Sequence, residues 1–268
     1  MKNILFIGIF LFLPHFAFSA FEEKPISARI TGMGETFSAV EGGIEGIFYN
    51  PAAFKLKEEK NEIFSSYSEL FDISELKHSI FAYGRTFSSD NKLGLAIQKF
   101  GSKLYCEEVK ILNFSRRFLK KLDIGINVKE MSVKIESLDK YSTFGMDGGM
   151  QCEFYKNFRF GCVVKNFNGP GIIDDLPVIY RAGISCNVFK RIIWAFDWEK
   201  EKNFEDNFHL GQEICLNKFL FVRTGYETEP GRVSGGLGLK IMPIQIDYSI
   251  FSHSVLGNTQ IFSFIIGW

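Results

Sequence analysis

From Asn61 to Trp268 apolar and polar residues alternate in short runs, each closed by turn-forming residues. A period of two is the mark of strands whose two faces meet different surroundings. Two runs show it without interruption. Phe158, Phe160, Cys162 and Val164 oppose Arg159, Gly161, Val163 and Lys165, and Ile192, Trp194, Phe196 and Trp198 oppose Ile193, Ala195, Asp197 and Glu199. One face suits lipid and the other a lumen. The pattern predicts strands near 61–70, 75–88, 91–101, 108–118, 121–135, 141–155, 157–168, 177–188, 190–200, 206–216, 218–227, 231–241, 243–252 and 258–268. Ser89-Asp90, Leu119-Lys120, Lys156-Asn157, Phe189-Lys190, Asn217-Lys218 and Met242-Pro243 read as tight turns. The links around Phe71, Leu104, Leu138, 169–176, 201–205, Glu229 and Ser254 read as longer loops. Alternation of long and tight connections is the rhythm of an outer-membrane β-barrel, in which the short turns face the periplasm. The expected fold is all-β, a 14-stranded antiparallel transmembrane β-barrel over residues 61–268.

Some strands are less clean. Arg223 shares a face with Phe219 and Phe221. A basic residue on the lipid face at mid-bilayer costs about 2–4 kcal/mol. Either Arg223 lies near an interface, or its strand turns the phenylalanines inward and leaves the interior partly apolar. The last strand places Gln260, Phe262, Phe264, Ile266 and Trp268 on one face. In a soluble sheet such a strand would leave a long apolar edge open to aggregation.

Residues 20–60 have no two-residue period and are rich in glycine and small side chains. They read as an N-terminal lumenal hatch, a plug of turns with a short helix, closed by Asn50-Pro51 because a residue before proline is pushed out of the helical region. Ahead of them lie Lys2, an apolar run from Ile4 to Leu13, Pro14, and small residues at Ala17, Ser19 and Ala20. This is the layout of a cleaved signal peptide, 1–19, with cleavage after Ser19 favoured because Ala17 and Ser19 then fill the small-residue positions. Export and the lack of a later apolar run of about 18 residues leave a barrel or a soluble periplasmic protein.

Composition sharpens the choice. Aromatics make up 16% of the chain, with 30 phenylalanines, which suits lipid-facing strands and interfacial girdles. Zero net charge argues against a nucleic-acid partner, which calls for a basic face. The five cysteines are odd in number, form no CxxC pair and sit within strand patterns. They read as free thiols acting as small apolar side chains, with a Cys152–Cys162 pair across neighbouring strands as the alternative.

Candidate chemistry is sparse. If the turn at Phe189-Lys190 pairs Arg181 with Asp197, and the next loop pairs Asp197 with His209, the three form a lumen row. Such a row holds a ligand carboxylate or a metal, or is a charge-paired network facing the hatch. A single histidine without metal-ligand spacing disfavours the metal. Asn50 and Pro51 are either a structural stop or part of a moving gate. Gly32, Gly34, Gly42, Gly43 and Gly46 fit neither phosphate-loop pattern and read as turn formers. With no nucleophile, zinc or paired-carboxylate motif, neither an enzyme nor a cofactor is expected. Loops 168–176 and 199–207 are candidates for contact with a protein partner or cargo.

Ser27-Ala28-Arg29, Gly32-Met33-Gly34, Phe37-Ser38-Ala39-Val40 and Tyr49-Asn50-Pro51-Ala52 resemble the N-terminal pattern of PorV/PorQ-type outer-membrane proteins, relatives of the FadL fatty-acid channel. His209-Leu210-Gly211-Gln212-Glu213, Arg223-Thr224-Gly225-Tyr226, Gly235-Gly236-Leu237-Gly238-Leu239, Ile246-Asp247-Tyr248-Ser249 and Leu256-Gly257-Asn258-Thr259-Gln260 follow in that family's order. Ser249 and Gln260 depart from it, standing where alanine and histidine are commoner. The resemblance implies a 14-stranded barrel with a hatch in the outer membrane of a Gram-negative-type bacterium. It also implies a monomer that serves protein secretion or surface attachment of type IX kind, with cargo protein or translocon components as partners. The alternative it carries is a FadL-like channel passing hydrophobic small molecules through a lateral opening. Fold alone does not choose between them.

Overall fold

The computed structural model describes residues 20–56, 60–171, 176–202, 204–253 and 256–268. The expected signal peptide, 1–19, lies outside the described residues. Fourteen strands form: β1 (Asn61–Glu69), β2 (Lys77–Thr86), β3 (Asn91–Gly101), β4 (Tyr105–Leu119), β5 (Leu122–Ile135), β6 (Tyr141–Tyr155), β7 (Phe158–Lys165), β8 (Ile179–Val188), β9 (Ile192–Glu201), β10 (Asn207–Cys215), β11 (Leu220–Glu227), β12 (Arg232–Ile241), β13 (Ile244–His253) and β14 (Gly257–Gly267). Each pairs antiparallel with its sequence neighbours, and β1 pairs with β14, so the sheet closes into a barrel. Closure satisfies the edges that an open sheet would expose. The seam is continuous from Glu62↔Gly267 to Glu69↔Gln260, and the Trp268 carbonyl accepts from Lys60 and Asn61 N–H.

Side-chain parity follows the sequence pattern. Trp194 and Phe196 face outward while Ala195 and Asp197 are buried inside. Phe208, Leu210, Leu237, Ile246, Phe262 and Phe264 continue the outer face around the wall. So much contiguous exposed apolar surface has no place in water, and its solvent is lipid. Arg223 resolves to the second alternative above for one of its two neighbours: it points inward and is 2% exposed with Phe221 beside it, whereas Phe219, in the β10–β11 turn, is exposed.

The rhythm of connections differs from the expected one at the first hairpins and again at the β10–β11 link, whose four residues (216–219) equal those of the β11–β12 link (228–231). The β2–β3 link (87–90) is longer than the β3–β4 link (102–104). Ser88 Oγ accepts from Asp90 and Asn91 N–H and widens the first, while the ladder runs up to Gly101↔Cys106 and shortens the second. The five cysteines are free, and Cys152 stands opposite Phe160 rather than Cys162, so register precludes that pairing.

Residues 20–56 fold inside the barrel. Two single-turn helices, α1 (Ala28–Thr31) and α2 (Gly46–Tyr49), and a 3-10 turn (Pro51–Ala53) wrap around a core of Phe37, Ile44, Ile47, Phe48 and Phe54. Phe64, Ile80 and Ala82 of the wall complete that core. Asn50 adopts an extended φ of −135° after Tyr49 and ends α2, as the proline that follows requires.

Candidate functional site

The hatch and the inward faces of the strands form one polar interface. Near its middle Asn50 is fully buried and bonds in three directions. Its Nδ2 donates to the carbonyls of Ser38 (2.7 Å) and Met150 (3.2 Å), and its Oδ1 accepts from Ala52 N–H (3.0 Å). The backbone there lies so close to the wall that a Cβ on Gly149 would sit 2.1 Å from Asn50 Oδ1. A Cβ on Gly161 would sit 1.8 Å from Ser38 O. Only glycine lets the hatch seat at these two points.

The expected row of Arg181, Asp197 and His209 is partly formed. Asp197 pairs with His209, but Arg181 pairs with Glu199 and Asp197 with Gly183. The β8–β9 turn holds three residues, Phe189 to Arg191, with Phe189 and Lys190 both at positive φ, and this shifts the register by two. All three side chains still grip the hatch. Asp197 Oδ2 accepts from Phe37 N–H (2.9 Å) and Ser38 N–H (2.8 Å). His209 Nδ1 lies 2.9 Å from Gly34 O; a carbonyl only accepts, so Nδ1 carries the proton. Arg181 pairs with Glu199 and with Glu23 of the hatch (2.8 Å), which also pairs with Lys165.

Two further charged groups were not among the site residues expected from the sequence, although Arg223 stood out there for its phenylalanine neighbours. Arg29 of the hatch bonds both oxygens of Glu213 at 2.9 Å. Arg223 bonds Glu213 (2.7 Å) and Asp247 (2.6 Å), so four charges, half-buried Arg29 and three buried ones, alternate in sign from hatch to wall. On the hatch side, burial pushes the Glu45 carboxyl above the ordinary carboxylate range, and Arg29 only partly offsets it. At the lower end Lys55 pairs with Asp123 (2.9 Å) and donates to Gln151. Inward parity was the signal for these wall residues, because a charge on the core face of a barrel strand needs a partner inside.

Among the described residues no cluster of His, Cys, Asp or Glu is arranged to hold a metal. A small void, of about 10 Å³, lies between the hatch and the wall beside Thr31, Glu35, Glu227 and Arg232. That is room for a water molecule. A larger open recess, of about 500 Å³, lies on the lipid face, bounded by Phe81, Leu95, Leu112, Val128 and Phe144 and topped by the Lys110–Glu130 pair (2.9 Å). Between the strands themselves the ladder is continuous among the described residues. It is disturbed only by register shifts at 117/119 and 153/155, near the tight turns.

No family model and no curated protein sequence matches the chain. Solved structures do. The toluene transporter TbuX of Ralstonia pickettii aligns with a TM-score of 0.67 at 12% identity, over 89% of this chain and 97% of the other. The toluene transporter TodX of P. putida aligns with a TM-score of 0.69 at 12% identity, over 89% and 97%. This chain shares their fold. A FadL homologue of Pseudomonas aeruginosa aligns with a TM-score of 0.65 at 10% identity, over 90% and 98%. Residues 61–268 make up a smaller part of the chain than these shares, so the alignments take in hatch as well as barrel.

Proposed function

We propose that this protein is an outer-membrane channel for hydrophobic small molecules, held closed by its hatch. The observation that carries the reading is the likeness, hatch included, to the toluene transporters. Tight turns and both ends of the barrel lie on one side, which orients that side toward the periplasm. In this reading Arg181, Asp197, His209 and the Asn50-Pro51 turn are clamps that hold the hatch, and passage requires some of them to let go. The continuous wall describes the closed state; a lateral opening needs a rearrangement of hatch or ladder.

The PorV/PorQ reading, with secretion cargo as partner, rests on residue resemblance in the hatch and the later strands and gains no support from the solved structures. The two readings separate in one experiment. The gene is expressed in a Gram-negative host that lacks its own hydrocarbon and fatty-acid channels, and uptake of labelled toluene and of a long-chain fatty acid is followed. Uptake well above the empty-vector rate is the expected result. If the folded barrel is present in the outer membrane and both rates equal the control, the channel reading is lost.

A further inference from the structure

The zero net charge of the chain conceals a strong polarity between its two ends. At the tight-turn end, four of the six hairpins carry exposed bases: Lys120 and Lys121 on β4–β5, Lys156 on β6–β7, Lys190 and Arg191 on β8–β9, Lys218 on β10–β11. Lys60, Arg85 and Arg116 stand at the same level and are also exposed. Among the described residues Asp90 is the one exposed acid there. Two of the bases that point inward at this end are ion-paired, Arg117 with Asp123 and Arg159 with Glu41 and Glu153. The outward ones have no ion-pair partner among the described residues. At the loop end, by contrast, acids and bases mix, as in Glu136, Asp139 and Lys140 or Lys202, Glu205 and Asp206.

The same turns carry exposed aromatic rings. Phe118, Tyr155 and Phe219 flank the bases, and Phe189, beside Lys190, is 87% exposed. Lys218 lies 4.7 Å from the Phe219 ring, and Arg85 lies 5.5 Å from that of Phe87. Rings of this kind settle at the membrane–water boundary. Long basic side chains beside them reach the headgroup layer while their stems lie along apolar surface. The ring of bases therefore sits where lipid phosphates are, and lipid is the neighbour already present all around the wall.

We propose that this rim is a binding surface for anionic glycerophospholipid headgroups of the leaflet it is embedded in. Unpaired bases distributed around the circumference suit many small mobile phosphates. A single acidic protein would call for one concentrated patch. The proposal rests on the membrane orientation given above and not on transport, so a protein that takes up no hydrocarbon still submits to its test.

The mature full chain is reconstituted in phosphatidylcholine vesicles that carry a trace of spin-labelled phosphatidylglycerol or, separately, spin-labelled phosphatidylcholine. Electron spin resonance then measures the fraction of each label immobilised at the protein. An association about fivefold in favour of phosphatidylglycerol is expected, the effect of one surface-level basic residue per lipid. It should fall toward parity at high salt and in a K120Q/K121Q/K190Q/R191Q variant, whose heat-dependent migration on gels shows that the barrel is folded. Equal association of the two lipids overturns the proposal, as does a preference that survives the four substitutions. Lipid indifference together with charge-dependent retention of polyglutamate by the rim also overturns it and assigns the surface to an acidic protein.

Discussion

Asn50 uses both ends of its amide, donating to two carbonyls and accepting from one N–H. Asn50→Asp keeps the acceptor for Ala52 but removes the donor from Ser38 and Met150, leaving two carbonyls facing a carboxylate. The variant should lose about 2–3 kcal/mol of stability in urea unfolding from lipid vesicles. Asn50→Ala should lose a similar amount. Arg223 makes the same case for charge. Arg223→Met leaves Asp247 buried without its charge partner, while Glu213 keeps Arg29, and should cost about 3–5 kcal/mol by the same measurement. Asp247→Asn in the Arg223→Met background should recover part of that loss, because it removes the buried charge left without a partner. At this scale the sequence was legible in kind but not in detail. It showed that Arg223 conflicted with its phenylalanine neighbours, and it took the position of Glu213 on the next strand to decide which way the strand faced.

The strands were legible because lipid on one side and a packed lumen on the other enforce a two-residue period along most of the wall. Their register was less so. Turn geometry sets it, and two left-handed residues in the β8–β9 turn moved Arg181 past Asp197 by two positions. The hatch was the least legible element, since turns held by contacts to eight or more distant strands leave no local period. Its seat makes a direct prediction. Gly161→Val places a side chain where the Ser38 carbonyl now lies, so the hatch must lift away from β7. In planar bilayers the native protein should show little ionic conductance. Gly161→Val should open discrete conductance steps, and native-like closure of that variant would mean the hatch can seat elsewhere.

For the whole molecule, the bilayer itself is a ruler. Leu237 and Val233 both face outward on β12. At about 3.3 Å rise per residue and roughly 40° of tilt, Leu237 lies some 12 Å above the tight-turn end and Val233 about 22 Å above it. Leu237→Arg should therefore cost about 2–4 kcal/mol in vesicle unfolding, and Val233→Arg about 0–1 kcal/mol. Equal costs would place the membrane at another height on the wall. The same height carries the Lys110–Glu130 pair, which explains why that pair interrupts an otherwise apolar face without a mid-bilayer penalty.

The hatch joins the barrel through bonds such as Ala28 N–H to Ser263 Oγ at 2.8 Å, between residues 235 positions apart. The first described stretch to leave the ribosome thus acquires part of its surroundings only when nearly the last has been made. Until β14 reaches β1, Phe37, Ile44 and Phe54 have only part of their wall, including Phe64, Ile80 and Ala82 of β1 and β2, so the plug is a passenger of closure rather than a template for it. Contacts of such separation make folding slow. A chain cut before Gly257 should accordingly leave the hatch as protease-sensitive as an unfolded peptide, although no hatch residue has been touched.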